Sequence, residues 1–165
     1  MVVSQIRAEV PPVARRNGTH NVVPSDFETS TGRMNWYGAM AWVEWLASVG
    51  YGGADDWRLP FVVDSGAPVC DFAFIGTDCG YNVDTATGEL AHLRYDTLGN
   101  IAEYDISGND LQPGAGLTST GPFYNMQASW YWSGPDEASF ADYGWYLLAS
   151  GGLRSYYGKS FRFNG

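Results

Sequence analysis

The sequence has little positive charge and no recognisable catalytic pattern. Lys159 is the only lysine among 165 residues, and nine basic residues face eighteen acidic ones, for a net charge of −9. A field of that sign repels phosphate backbones and anionic lipid, which argues against nucleic acid as a partner. His20 and His92 are the only histidines, and no HExxH, GxSxG, P-loop or GxGxxG pattern occurs. General acid–base or nucleophilic chemistry requires a poised His, Cys or carboxylate pair, so no enzyme is expected. No apolar run approaches the length of about eighteen residues that membrane insertion requires, and the opening MVVSQIRAEV shows no export signal.

Cysteine is equally scarce. Cys70 and Cys79, separated by eight residues, lie in a turn-rich stretch with no third Cys or His that would complete a zinc site. A local disulfide is the favoured reading, against two buried free thiols. Closing so short a loop would stabilise the fold by about 2–3 kcal/mol and would require an oxidising compartment, hence an extracellular or cell-surface location.

What is abundant is apolar, aromatic and glycine: 45% hydrophobic residues, 16% aromatic and 21 glycines. A chain of this length buries roughly 70% of its unfolded surface in one core, and the glycines imply many tight turns. An aromatic content this high resembles that of an interface. Residues 1–30 hold prolines and polar residues without apolar period and read as an irregular lead-in, with one domain over 31–165. Trp36, Met40, Val43 and Ala47 recur at helical spacing, which predicts a helix over 36–48, capped by Asn35 and stopped by Gly50. Leu90, Leu93 and Thr97 predict a second helix over about 88–97, with Thr87 as cap and Gly99 as stop. Residues 99–122 read as a long surface connection.

Half of the aromatic residues fall after residue 122. There Trp130 and Trp132 alternate, as do Tyr143, Trp145 and Leu147, and Phe161 and Phe163, with glycine turns between them. These alternations predict a small antiparallel sheet. The overall expectation is an α+β fold with two short helices packed on small antiparallel sheets joined by long loops.

The stretch MNWYGAMAWVEWLASVGYGGADDWRLP, then YWSG, an aromatic strand, a glycine turn and a terminal strand, resembles the bacterial Lcl C-terminal domain family, named from a collagen-like adhesin. The resemblance covers about residues 33–165, while the first thirty residues do not match and family members continue through a further strand beyond Gly165. It implies a C-type-lectin-like domain used for adhesion or ligand binding, with sugar polymers such as glycosaminoglycans among the ligands, and no catalysis. The segment after YWSG is also similar to the variable C-terminal segment of lectin-like proteins targeted by diversity-generating retroelements.

Sugar recognition requires aromatic faces that stack on the ring, with polar side chains or a calcium ion reaching the hydroxyls. Asp142, Tyr143, Arg154, Ser155, Tyr156, Tyr157 and Lys159 supply that mix around two turns and form the expected contact surface for a cell-surface glycan or protein. The competing reading makes Tyr156 and Tyr157 one ring in and one out, as strand alternation requires. Trp36, Trp57, Arg58 and Trp132 are expected to hold the fold, with the Arg58 guanidinium paired to Asp55 or Asp56. The scattered aspartates match no EF-hand spacing and neither of the tripeptides that bind sugar in animal lectins, so no cofactor is expected and calcium alone is left open. The alternative to a ligand-binding module is an assembly module whose aromatic face joins subunits of a homo-oligomer.

Overall fold

The computed structural model describes residues 16–17, 20–63, 74–75, 77–136 and 141–164. Helix α1 (Trp36–Ser48) spans the expected residues, because both of its ends are chemically marked. Asn35 sits in extended backbone and its side chain accepts from the Gly38 amide at 2.9 Å, satisfying a donor that the first helical turn leaves open. Gly50, at φ +61°, turns the chain away at the other end. Trp36, Ala39, Trp42 and Leu46 form the buried face.

The second helix is shorter and less regular. Helix α2 (Glu89–His92) passes directly into one π-helical turn over Leu93–Thr97, and Gly99 at φ +66° follows. Thr87 is not its cap. Gly88 holds that position, and Thr87 ends a preceding 3-10 turn, Thr85–Thr87, whose first residues are fixed by the Asp84 carboxylate. The wider turn contains Arg94, which is 1% exposed and donates to the carbonyls of Ala149 at 2.5 Å, Ile101 at 2.9 Å and Ser150 at 3.2 Å. One guanidinium thus ties the helix, the start of the long connection and a distant turn together. Burial lowers its pKa, and carbonyl dipoles stand in for a counter-ion.

The strands β1 (Arg16–Asn17) and β2 (His20–Asn21) make a separate two-stranded ladder. The main sheet contains β3 (Phe27–Glu28), β4 (Arg33–Met34), β5 (Trp130–Asp136), β6 (Tyr143–Leu148), β7 (Arg154–Gly158) and β8 (Phe163–Asn164) in the order β3-β4-β8-β5-β6-β7. Every pairing is antiparallel except β5 with β8. The described residues are therefore α+β, with two α-helices and small, mainly antiparallel sheets.

Period-2 alternation sends the aromatic side chains to two cores. On one face Trp132, Tyr146 and Phe163 pack against Trp36 and Ala39 of α1. On the other, Trp145 joins Val62 and Cys79, and Leu147 joins Val83 and Ala91. Each large side chain buried in this way contributes roughly 1.5–3 kcal/mol relative to exposure. Gly144 lets the Trp36 ring lie against the strand, since a Cβ there would come within 2.5 Å of Cδ1.

Residues before position 31, expected as an irregular lead-in, also pack into the fold. Val22 and Asp26 are buried, and β3 forms one edge of the main sheet. The Asp26 carboxylate accepts from the Val23 amide at 2.8 Å and from Asn35 Nδ2 at 2.7 Å, and its Oδ2 lies 3.0 Å from His20 Nε2. That network joins the segment before β3 to the start of α1. The connection after Gly99 is ordered from within: buried Asn100 accepts from Thr118 and Ser119 and donates to the Ser119 carbonyl.

Candidate functional site

The core on the α1 side continues outward into an exposed aromatic surface. Phe163, 4% exposed, is its hub, stacked on Trp132 at 4.4 Å between ring centroids and met edge-on by Trp130 at 4.6 Å. Further out, Tyr157 lies 5.9 Å from Phe163, 4.7 Å from Phe161 and 6.5 Å from Trp130. Tyr157 is 40% exposed and Phe161 52%, while Trp130 is partly buried. Trp130, Tyr157 and Phe161 thus form a continuous aromatic patch whose inner layer is core.

The turn that carries Phe161 is pinned. The Phe161 amide donates to the Gly158 carbonyl at 2.9 Å. Lys159 donates its own amide to the Asp142 carbonyl at 2.9 Å and accepts from the Trp36 amide at 3.0 Å. Its Nζ donates to the Ala141 carbonyl at 2.6 Å and sits 4.5 Å from the Trp36 ring. A cation over a tryptophan face is attracted by the ring quadrupole. The patch therefore presents fixed rings with little ordering cost left for binding. It offers π-faces, apolar area and one phenolic hydroxyl, which suits the C–H face of a sugar or an apolar protein side chain.

The expected contact residues do not form one surface. Tyr157 faces the α1 side with Trp130, whereas Tyr156 faces the other way, edge-on to Tyr143 and Trp145. This is the alternation that the competing reading required. Asp142 and Tyr143 are exposed, but Arg154, Ser155 and Lys159 are buried at 1%, 4% and 5%. Arg154 belongs to the interior: Nε donates to the Asp78 carbonyl and Nη2 to Thr87 Oγ1 at 2.7 Å. Its backbone bridges Gly80, and desolvation lowers its pKa. Ser155 bonds the Tyr146 hydroxyl, whose pKa burial pushes up. These three residues hold strands together and are unavailable to a ligand. Trp130 and Phe161 were not among the expected contact residues; alternation marked them only as strand positions.

Of the residues expected to be structural, Trp36 and Trp132 are buried, Trp57 is partly buried and Arg58 is exposed. Trp36 Nε1 donates to the Ser133 carbonyl at 3.0 Å, Trp132 Nε1 to Met34 at 3.1 Å and Trp57 Nε1 to Tyr51 at 2.8 Å. Arg58 pairs with Glu89, 31 positions away, through two bonds of 2.6 and 2.7 Å, and not with Asp55 or Asp56. The guanidinium, with the Phe61 amide that also donates to Glu89, holds the Glu89 carboxyl down at about 2. Cys79 is buried beside Val62 and Trp145, and Cys70 lies outside the described residues.

Each histidine has a carboxylate partner that sequence did not reveal. His20 stacks on Tyr37 at 3.8 Å beside Asp26, and His92 Nδ1 lies 2.8 Å from Asp96 one helical turn on. The first is a brace at the start of α1 and the second an exposed i,i+4 pair. Among the described residues no group of three His, Cys, Asp or Glu side chains could hold a metal ion, and no helix is long and apolar enough to cross a membrane. Comparison with known families, with curated proteins and with solved structures finds no match.

Proposed function

We propose that the chain is an extracytoplasmic ligand-binding or adhesion module of C-type-lectin-like fold, related to the Lcl C-terminal domain, that contacts a surface glycan or protein through Trp130, Tyr157 and Phe161. The observation that carries this reading is the aromatic patch itself: rings 40% and 52% exposed, held on a pinned turn above a buried aromatic hub. Exposed aromatics on rigid backbone are costly to leave in water and are the usual anchors of recognition surfaces. The acidic balance narrows the ligand. A net charge of −9 disfavours sulfated polymers, and neutral glycans or proteins fit better. No catalytic role and no resident cofactor enter this reading.

The alternative is an assembly module whose patch is a subunit interface. It is favoured by the same rings, since Ser155 and Lys159, expected to contact a ligand beside them, are buried and engaged elsewhere. A glycan array probed with the purified chain, with and without a calcium chelator, separates the two when combined with light scattering over a range of concentration. The expected result is a neutral-glycan signal that survives chelation, from a protein of constant mass. A blank array together with a mass that rises with concentration would select the assembly module.

A further inference from the structure

A second exposed surface is built where the long connection meets the segments that carry Phe74 and Tyr81. Phe74, Tyr81 and Tyr104 form a ring cluster with centroids 4.7–6.2 Å apart. Asn82, at φ +49°, donates its amide to the carbonyls of both Phe74 and Tyr104 at 2.9 Å, which locks two of those segments together. The turn over 105–109 closes on this cluster: Gly108 comes so near the Phe74 ring that a Cβ would lie 2.8 Å from it. The Asp105 carboxylate accepts from the amides of Ser107 and Asn109 and makes the turn rigid. From this turn and the residues after it, Ile106 and Leu111 stand 63% and 75% exposed. Leu111 does so at φ +55°, a conformation that favours glycine, so an unfavourable backbone holds an aliphatic side chain in solvent.

The stretch of chain that carries this turn has charge of one sign. Between Arg94 and Arg154 the chain carries no Lys, Arg or His, and those two arginines are buried at 1% each. The Tyr81 hydroxyl is pushed up to about 12, first by burial and then by Glu103, Tyr104, Tyr146 and Asp110 in that order. The turn and the residues beside it therefore carry acidic charges alone, Glu103, Asp105 and Asp110. A second copy of this chain would bring a like-charged surface against it. A cationic side chain gains twice, from these carboxylates and from the ring faces.

We propose that this face docks a basic, partly apolar protein segment, with an arginine or lysine over the Tyr81 and Tyr104 rings between Glu103 and Asp110, and aliphatic neighbours against Ile106 and Leu111. The surface shares no residue with the aromatic patch, so the proposal stands or falls independently of the function proposed above.

The test uses a labelled peptide alternating arginine and leucine, titrated into the full chain and read by fluorescence anisotropy, beside an arginine–serine and a glutamate–leucine peptide. The arginine–leucine peptide binds tightest. The E103Q/D110N variant weakens it about tenfold, and Leu111→Gly, which suits the backbone and removes only the exposed side chain, about threefold. The charge-matched D55N/D56N variant, altered in the exposed loop after α1, stays within about twofold, as does Tyr157→Ala with Phe161→Ala. Equal weakening by D55N/D56N, equal binding of the arginine–serine peptide or no binding at all would overturn the proposal.

Discussion

Replacing Gly152 by alanine tests how closely the second helix is keyed to the turn after β6. Gly152 lies at φ +83°, and a Cβ there would come within 2.2 Å of the Tyr95 hydroxyl and 2.8 Å of Arg94 Nε. The left-handed backbone alone costs a non-glycine residue about 1 kcal/mol. Relief of the clash requires the Tyr95 ring to withdraw, which breaks its 2.7 Å bond to the Gly152 carbonyl and costs about 1 kcal/mol more. Overpacking beside the buried Arg94 adds about 1–3 kcal/mol. The expected loss is about 3–5 kcal/mol, or on the order of 10 °C in Tm for a chain of this size. Gly50→Ala is the matched control: its φ is +61°, nothing lies within 4 Å, and only the backbone cost of about 1 kcal/mol applies. Urea unfolding followed by tryptophan fluorescence measures both, with constant m establishing that the native state alone has changed. Equal losses in the two variants would refute the close packing of Tyr95 and Arg94 over Gly152.

Three further expectations concern other parts of the fold. Glu89 is held at about 2 in the folded protein, below its ordinary value of 4.5, so its pairing with Arg58 is stabilising at neutral pH and is lost as pH falls through about 2. Because both partners are exposed, Arg58→Gln costs only about 0.5–1 kcal/mol at pH near 7, and the difference from wild type closes in acid urea titrations. Asn35→Ala removes the cap on Gly38 and one donor to buried Asp26, and circular dichroism melts give a loss of about 2–3 kcal/mol. Alkylation of the unfolded, unreduced protein followed by intact mass measurement adds nothing at Cys70 and Cys79 if they are paired, and reduction then lowers stability by about 2–3 kcal/mol.

Where ends and periods are written in single residues, the sequence was readable. Helix α1 carries its cap at Asn35 and its stop at Gly50, although Met40, Val43 and Ala47 of the expected stripe are only partly buried and Ala39, Trp42 and Leu46 lie deeper, and the C-terminal strands carry their alternation in unmistakable aromatics. Partners distant in the chain were not readable. Arg58 meets Glu89 and Arg94 meets Ala149 only because the fold brings them together. The site suffered from the same blindness. Arg154 and Lys159 were assigned to the surface by their charge, yet one is buried among carbonyls and a hydroxyl, and the other lies against the Trp36 face. Side-chain alternation along β7 separated Tyr156 from Tyr157, and only their neighbours reveal which of the two faces the exposed patch.

The most direct test of the central claim is array binding by three forms of the chain: wild type, a Tyr157→Ala/Phe161→Ala variant and a Tyr143→Ala variant, each first shown by circular dichroism to be folded. The account predicts a signal in the wild type that is lost when Tyr157 and Phe161 are removed and kept when Tyr143, on the opposite face, is changed. Retention of the signal in the Tyr157→Ala/Phe161→Ala variant, or its loss in Tyr143→Ala, would contradict the assignment of ligand contact to the Trp130–Tyr157–Phe161 patch.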